Sequence, residues 1–446
     1  MDTIEDVLNR IGDFHIEADK RSILLTGNLQ KQNDIIVLEA RVMQDDVKLI
    51  QEIEICQIWG IVGTIKVTLL NSLIHIGFLF GSGESFNTLV AEPTEIVIGR
   101  CYTGEAKITR ISASISALNY MFSERLFEEN IDFSKEKPAL LNFAYPNPIC
   151  AKDKDGELSL ARGFQHSTSR EKIEYKILPY MEYKFSAPTT VREAIAKIAS
   201  VRNLFSFFAD YYIPLENLTF ADMETAKIEN FPDLCDCKLY MNWKDDIDVP
   251  PKPFLISTKD FCNHFTQIWG KWSQFYNENR YIPTLFYEII CNRSTRINCF
   301  LNLSQAIEIY SNYYREKDAY SIAKADGYKK KSIPLKYRVE DMIQYLNPYL
   351  AIDSSNIKPL AKAISNARNF FTHYNKKRYN EPSFQEISAA NRILRYMLLA
   401  IIYKTIGLSD DCIKKSGETA LYSLRKRDIE VVLRKRNDIE YTSWFD

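Results

Sequence analysis

Residues 365–378 read Ser-Asn-Ala-Arg-Asn-Phe-Phe-Thr-His-Tyr-Asn-Lys-Lys-Arg and contain His373, one of five histidines in a chain of 446 residues. Arg368 stands five positions before that histidine, with Asn369 directly after the arginine. From Ser354 to Asn380 the charged residues are Lys358, Lys362, Arg368, Lys376, Lys377 and Arg378, and no Asp or Glu interrupts them. A cationic strip bearing an imidazole attracts phosphate. Cleaving RNA without a metal takes three things: a base for the 2′-hydroxyl proton, an acid for the leaving oxygen, and positive charge on the phosphorane. An imidazole with a free pKa of about 6.5 can fill either proton role at cellular pH. A guanidinium supplies charge in a planar fork that matches phosphate oxygens. One histidine per chain leaves one proton transfer unassigned, and a symmetric dimer would bring in the second. This chemistry calls for RNA as substrate, at least a dimer, no cofactor and no metal.

A helix over about 356–376 must carry the strip. At about 100° per residue, Ile357, Leu360, Ile364, Ala367, Phe371 and Tyr374 form one apolar stripe toward a core. Asn369 and His373 share a stripe nearly opposite, joined by Lys362 and Lys376, while Arg368 lies between the faces. His373 is thus expected to face solvent or a partner. Lys362, Lys376, Lys377 and Arg378 are candidates for gripping the RNA backbone. Arg10 and His15 repeat the spacing, but with an acid between them and ahead of a β-type region, so a plain surface pair is expected there. Glu340-Asp341 are expected on a solvated helix face, and His75, within an apolar run, in a core. Gly81-Ser82-Gly83 lacks the lysine and following Ser or Thr of a phosphate loop.

The rest of the chain must fold around this helix. A composition of 46% hydrophobic and 26% charged residues is that of a globular chain, and its length implies more than one domain. Nine scattered cysteines, none in facing CxxC pairs, argue against zinc and for reduced thiols. No apolar run reaches the ~20 residues of a membrane span, and Met1–Arg10 lacks a secretory pattern, so a cytoplasmic protein is expected.

From about residue 21 to 120 the period is that of strands, in runs such as Ser22–Leu25, Ile35–Leu38, Gly63–Leu70 and Glu95–Ile98. A further run at 173–185 leads into a capped helix beginning near Thr190 and reaching about Phe208; short strands follow at 218–220 and 238–241. Pro250, Pro251 and Pro253, after the acidic stretch from Asp245, can continue neither strand nor helix and mark a boundary. Beyond it the period becomes helical, with helices expected at about 258–278, 282–291, 297–316, 333–350, 356–376, 384–405 and 418–436. The expected fold is α+β: a β-rich domain over 1–245, then an all-α helical bundle over 254–446.

Arg368-Asn369-Phe370-Phe371-Thr372-His373 has the form R-N-x-x-x-H, which resembles the signature of the HEPN ribonuclease superfamily. Arg21 to Leu38, Gly63 to Leu70 and Val201-Arg202-Asn203-Leu204-Phe205 are similar to the N-terminal domain of ApeA-type bacterial anti-phage proteins. The order, β-rich domain then helical HEPN domain, covers nearly the whole chain. This resemblance implies a metal-independent endoribonuclease of abortive-infection defence, with a sensing or regulatory N-terminal domain open to a phage-derived trigger. It implies His373 as general base or acid, Arg368 on the scissile phosphate and Asn369 as the orienting residue. The competing expectation is a non-catalytic HEPN-type protein that dimerises and binds RNA without cutting it.

Overall fold

The computed structural model describes residues 2–77, 86–120, 127–131, 139–143, 147–170, 172–223, 237–242, 253–256, 258–291, 294–330, 332–374, 379–418 and 426–433. The chain forms two compact units. One comprises residues 1–118, 124–201 and 214–248; the other comprises 119–123, 202–213 and 249–446. Residues 245–252 of the expected boundary, and Gly81-Ser82-Gly83, lie outside the described residues.

The first unit is built on antiparallel strands: β1 (Ile11–Ala18), β2 (Arg21–Gln32), β3 (Ile35–Met43), β4 (Ile55–Val62), β5 (Ile65–Gly77), β6 (Phe86–Glu92), β7 (Glu95–Ile98), β8 (Ile108–Ser114), β9 (Phe127–Ile131), β10 (Ala139–Phe143), β11 (Ile149–Lys152), β12 (Gly156–Thr168), β13 (Ile173–Thr189), β14 (Glu216–Asp222) and β15 (Cys237–Met241). The ring β4-β1-β2-β3-β6-β5 closes on itself through the β5–β6 pairing, giving a six-stranded barrel. Closure leaves no free edge on those strands. Alternation explains the core: Phe14 and Ile16 of β1, Leu25 of β2, Leu38 and Val42 of β3, and Ile58 of β4 point inward and are fully buried. Each such side chain contributes roughly 1.5–3 kcal/mol by leaving water. Gly60 is required opposite Phe14, because a Cβ there would meet the Phe14 ring at 2.6 Å.

β5 serves two sheets. Val67–Leu70 pairs with β7, Leu73–Gly77 pairs with β6, and Asn71 between them adopts a left-handed backbone at φ 48°. From β7 the sheet continues through β15, β14, β8, β13 and β12 to β11. α1 (Gln44–Gln51) follows β3, and α2 (Val191–Ala209) follows β13. The start of α2 is the capping box read in the sequence: Thr190 Oγ1 accepts from the Glu193 N–H and Glu193 Oε2 accepts from the Thr190 N–H, each at 3.2 Å. His75 is exposed on β5, contrary to the core placement expected for it, because the apolar run around it lies where Leu73 also faces outward.

The second unit is helical: α3 (Thr258–Asn279), α4 (Tyr281–Ile290), α5 (Arg296–Tyr314), α6 (Glu316–Ala325), α7 (Leu335–Leu350), α8 (Ser354–His373), α9 (Phe384–Thr405), α10 (Asp410–Glu418) and α11 (Lys426–Val432). α9 buries every residue from Tyr396 to Tyr403 and packs against α3, α5, α7, α10 and α11, so it is the central helix. Residues 202–213 bring aromatic rings to this core, with Phe207 stacked on Phe286 at 4.1 Å and edge-on to Trp272 at 5.6 Å. α6 and α10 were not anticipated. α6 buries only Ala319 and Ala323, so its apolar period is faint. In place of one helix over 418–436, α10 ends at Glu418 and α11 covers only Lys426–Val432.

Glu340 and Asp341 correct the expectation of a solvated face, since both are buried on α7. Asp341 accepts two hydrogen bonds of 2.8 Å from Arg315, and that guanidinium lies 4.0 Å above the Tyr345 ring. Arg315 sits at the joint of α5 and α6, 26 residues away in sequence, so no local pattern could announce the pair.

Candidate active site

α8 presents the strip. Its buried residues are Ile357, Leu360, Ala361, Ile364, Ser365 and Phe370. The buried face therefore turns from the expected line: Phe371 is only half-buried, against Phe300 at 6.2 Å between ring centroids, and Tyr374 is 70% exposed. Arg368, four after Ile364 and three after Ser365, follows the inner face and meets α5. The helix also stops earlier than anticipated. Tyr374 takes a left-handed conformation at φ 47°, and its N–H bonds the Phe370 carbonyl at 2.7 Å. A non-glycine residue there costs roughly 1–2 kcal/mol. The result is that exposed His373 is the last helical residue.

The polar contacts around Arg368 are long. Its Nη2 donates to Glu308 Oε2 at 3.4 Å and its Nη1 to Asn369 Oδ1 at 3.5 Å. Asn369 Nδ2 donates to the Tyr379 hydroxyl at 3.4 Å. Bonds at this length are weak, so neither guanidinium nor amide is committed to its partner. Thr372 Oγ1 is occupied by the Arg368 carbonyl at 2.9 Å. Glu308 and Tyr379 are the residues that sequence reasoning missed. Glu308 lies 60 positions from Arg368 on another helix, and Tyr379 follows the end of α8, outside its periodicity.

The cations of the strip divide by their surroundings. Lys358 Nζ is tied to Asp326 Oδ1 at 2.5 Å, which raises the ammonium pKa and, together with Tyr337, holds the Asp326 carboxyl below its usual value. Lys362 is exposed, and no ion pair engages it among the described residues. Lys376, Lys377 and Arg378 lie outside the described residues. Lys362, Asn366, Asn369 and His373 recur at spacings of four, three and four, so they stand on one face. A cavity of about 430 Å³ opens beside that face, lined by Lys362 and Asn366 of α8, Tyr379, Asn380, and Ile387 and Ala390 of α9. No group of three or more His, Cys, Asp or Glu is placed to hold a metal among the described residues.

Two family models match the chain. Residues 301–412, from α5 into α10 and including α8, match Apea-like HEPN, and residues 12–272 match ApeA N-terminal domain 1. The chain belongs to the ApeA family. The ApeA N-terminal match takes in the barrel and its sheet and ends within α3, while the HEPN match lies in the helical unit. This is the α+β order, barrel-rich region first and helices second, that the change of period between the two halves called for. An ApeA-like HEPN domain suggests an anti-phage HEPN effector. Comparison with curated proteins and with solved structures gives no match. No helix among the described residues is long and apolar enough to cross a membrane.

Proposed function

We propose that the helical unit is a metal-independent endoribonuclease of anti-phage, abortive-infection defence. The observation that carries this reading is an exposed His373 at the end of α8, five residues from a half-exposed Arg368 whose guanidinium hydrogen bonds, among the described residues, are 3.4 Å or longer, inside an ApeA-like HEPN domain. HEPN domains are generally ribonucleases and commonly dimerise and bind RNA.

In the proposed reaction one His373 imidazole takes the proton from a 2′-hydroxyl, and that oxygen attacks the adjacent phosphorus. The bond from phosphorus to the 5′-oxygen breaks, and His373 of a second copy delivers a proton to it. The products are a 2′,3′-cyclic phosphate and a 5′-hydroxyl. Arg368 turns from Glu308 to the non-bridging oxygens and stabilises the phosphorane. Asn369 orients Arg368 through its Oδ1. Lys362, Lys376, Lys377 and Arg378 hold neighbouring phosphates, and Asn366 and Asn380 face the flanking nucleotide in the cavity beside α8. A phage-derived trigger acting at the N-terminal region would release the activity.

The test is incubation of the purified chain and of His373→Ala with total cellular RNA in excess EDTA, with the fragment ends analysed. Cleavage by wild type alone, leaving 2′,3′-cyclic phosphate, is the expected result. Metal-dependent cutting, or equal cutting by His373→Ala, would sink the mechanism. The Arg368–Glu308 pair favours a second reading, a non-catalytic RNA-binding dimer, because an arginine engaged by a carboxylate can be purely structural. That reading expects intact RNA, with infected-cell extract or without, and binding that weakens steeply with salt.

A further inference from the structure

The first unit contains a cavity of about 520 Å³, far from α8 in sequence and lined by Glu17, Trp59, Asn71, Glu95, Glu105 and Arg192 among others. Such a volume suits a small ligand or one long side chain. Its most unusual member is Glu95, the first residue of β7, which is only 8% exposed. Asn71 Nδ2 donates to Glu95 Oε2 at 2.9 Å, and the Thr94 hydroxyl donates to the same oxygen. Both donors are neutral and both use Oε2; among the described residues Oε1 accepts no hydrogen bond and no cation pairs with the carboxylate. A carboxylate removed from water ordinarily has a counter-charge, because desolvation costs several kcal/mol otherwise. Here the missing charge faces a cavity.

The other walls agree with a cationic occupant. Trp59, half-buried and stacked on His15 at 6.1 Å, offers an indole, the aromatic surface best suited to a cation. Glu17 and Glu105 add carboxylates at the exposed rim; Glu105 is shared with Lys107 at 2.8 Å, while Glu17 has no ion pair among the described residues. Arg192, exposed at the start of α2, is the one opposing charge in the lining among the described residues. Burial pushes the Cys56 thiol, also in the wall, up to about 12, so the pocket holds no ready nucleophile. These features describe a binding site.

We infer that this cavity binds an ammonium or guanidinium group, seated against Glu95 Oε1 and the Trp59 indole. The cation has two sources, an Arg or Lys side chain of a protein or a free polyamine. A site of this kind in the N-terminal unit is a place where a ligand could be read independently of the RNA chemistry on α8.

Calorimetric titration of the full-length chain decides the matter, using Nα-acetyl-arginine amide, spermidine, and Nα-acetyl-citrulline amide as the uncharged isostere. Saturable binding of a cation with no binding of citrulline is expected; tighter arginine assigns a protein side chain, tighter spermidine a polyamine. Glu95→Gln keeps an amide oxygen for Asn71 and Thr94 but removes the charge, and should weaken binding about tenfold or more with an unchanged melting temperature. Trp59→Ala should weaken it as well. Binding of neither cation, equal binding of citrulline, or undiminished binding by folded Glu95→Gln would overturn the inference. The comparison of arginine with citrulline needs no variant, and none of these readouts involves RNA cleavage.

Discussion

Arg315 and Arg368 both meet a carboxylate inside the helical unit, and geometry separates what they can do. Arg315 makes two bonds of 2.8 Å to Asp341, whose side chain is 4% exposed, and its guanidinium also stacks on Tyr345. Arg368 reaches Glu308 through one bond of 3.4 Å, and the two side chains are 31% and 29% exposed. The first pair is bidentate and shielded from water, which strengthens every term of the attraction. The second is monodentate, hydrated and screened by salt, worth at most about 1 kcal/mol. A phosphate can therefore displace Glu308 at small cost, whereas displacing Asp341 would break two short, shielded bonds. An arginine meant for a substrate must be held loosely enough to leave.

The largest effect expected from this contrast is on stability. Asp341→Ala would strip Arg315 of its bidentate partner, leaving only the longer 3.4 Å pair with Asp318, and lower the unfolding free energy by about 1.5–3 kcal/mol, read from the denaturant midpoint. A loss below about 1 kcal/mol would place Arg315 and Asp341 in the same class as Arg368. Arg368→Ala should do the converse. Its unfolding midpoint should stay close to wild type, within roughly 1 kcal/mol, while RNA cleavage falls by about 10²–10³-fold through lost stabilisation of the phosphorane. If cleavage survives and stability drops, Arg368 is a structural residue.

The same contrast bounds what local sequence could reveal. Short apolar or alternating runs exposed β2, β3, β5 and β7, and the Thr190–Glu193 box announced α2, because each depends on residues within a few positions. Closure of the barrel through β5 and β6 was not visible, since the switch of one strand from β7 to β6 along its length leaves no period of its own. On α8 the spacing of Asn369 and His373 on an outward face was readable, and so was the cationic run. The turn of the buried face toward Arg368 was not, because Ser365 is buried and Tyr374 exposed, each against its type. Glu308 could not be found at all by spacing, and the same long-range pairing hid Asp341 behind an apparently solvated position.

Smaller effects probe the strip itself. Lys362 has no ion pair to break among the described residues, so Lys362→Ala should reduce RNA affinity evenly across sequences and lower the salt slope of binding by about 1, measured by titration at several ionic strengths. The smallest and most diagnostic change is Glu308→Gln. It removes the charge opposite Arg368 while keeping an oxygen that the guanidinium can still meet. Because the existing bond is long and half-exposed, stability should move by less than about 1 kcal/mol. With no carboxylate left to compete, phosphate should engage Arg368 more readily, and cleavage should rise a few-fold at low salt, with the gain shrinking as salt screens Glu308 in the wild type. A fall in cleavage would instead show that Glu308 positions Arg368 for the phosphate, and the two arginines of the helical unit would then differ in degree of commitment alone.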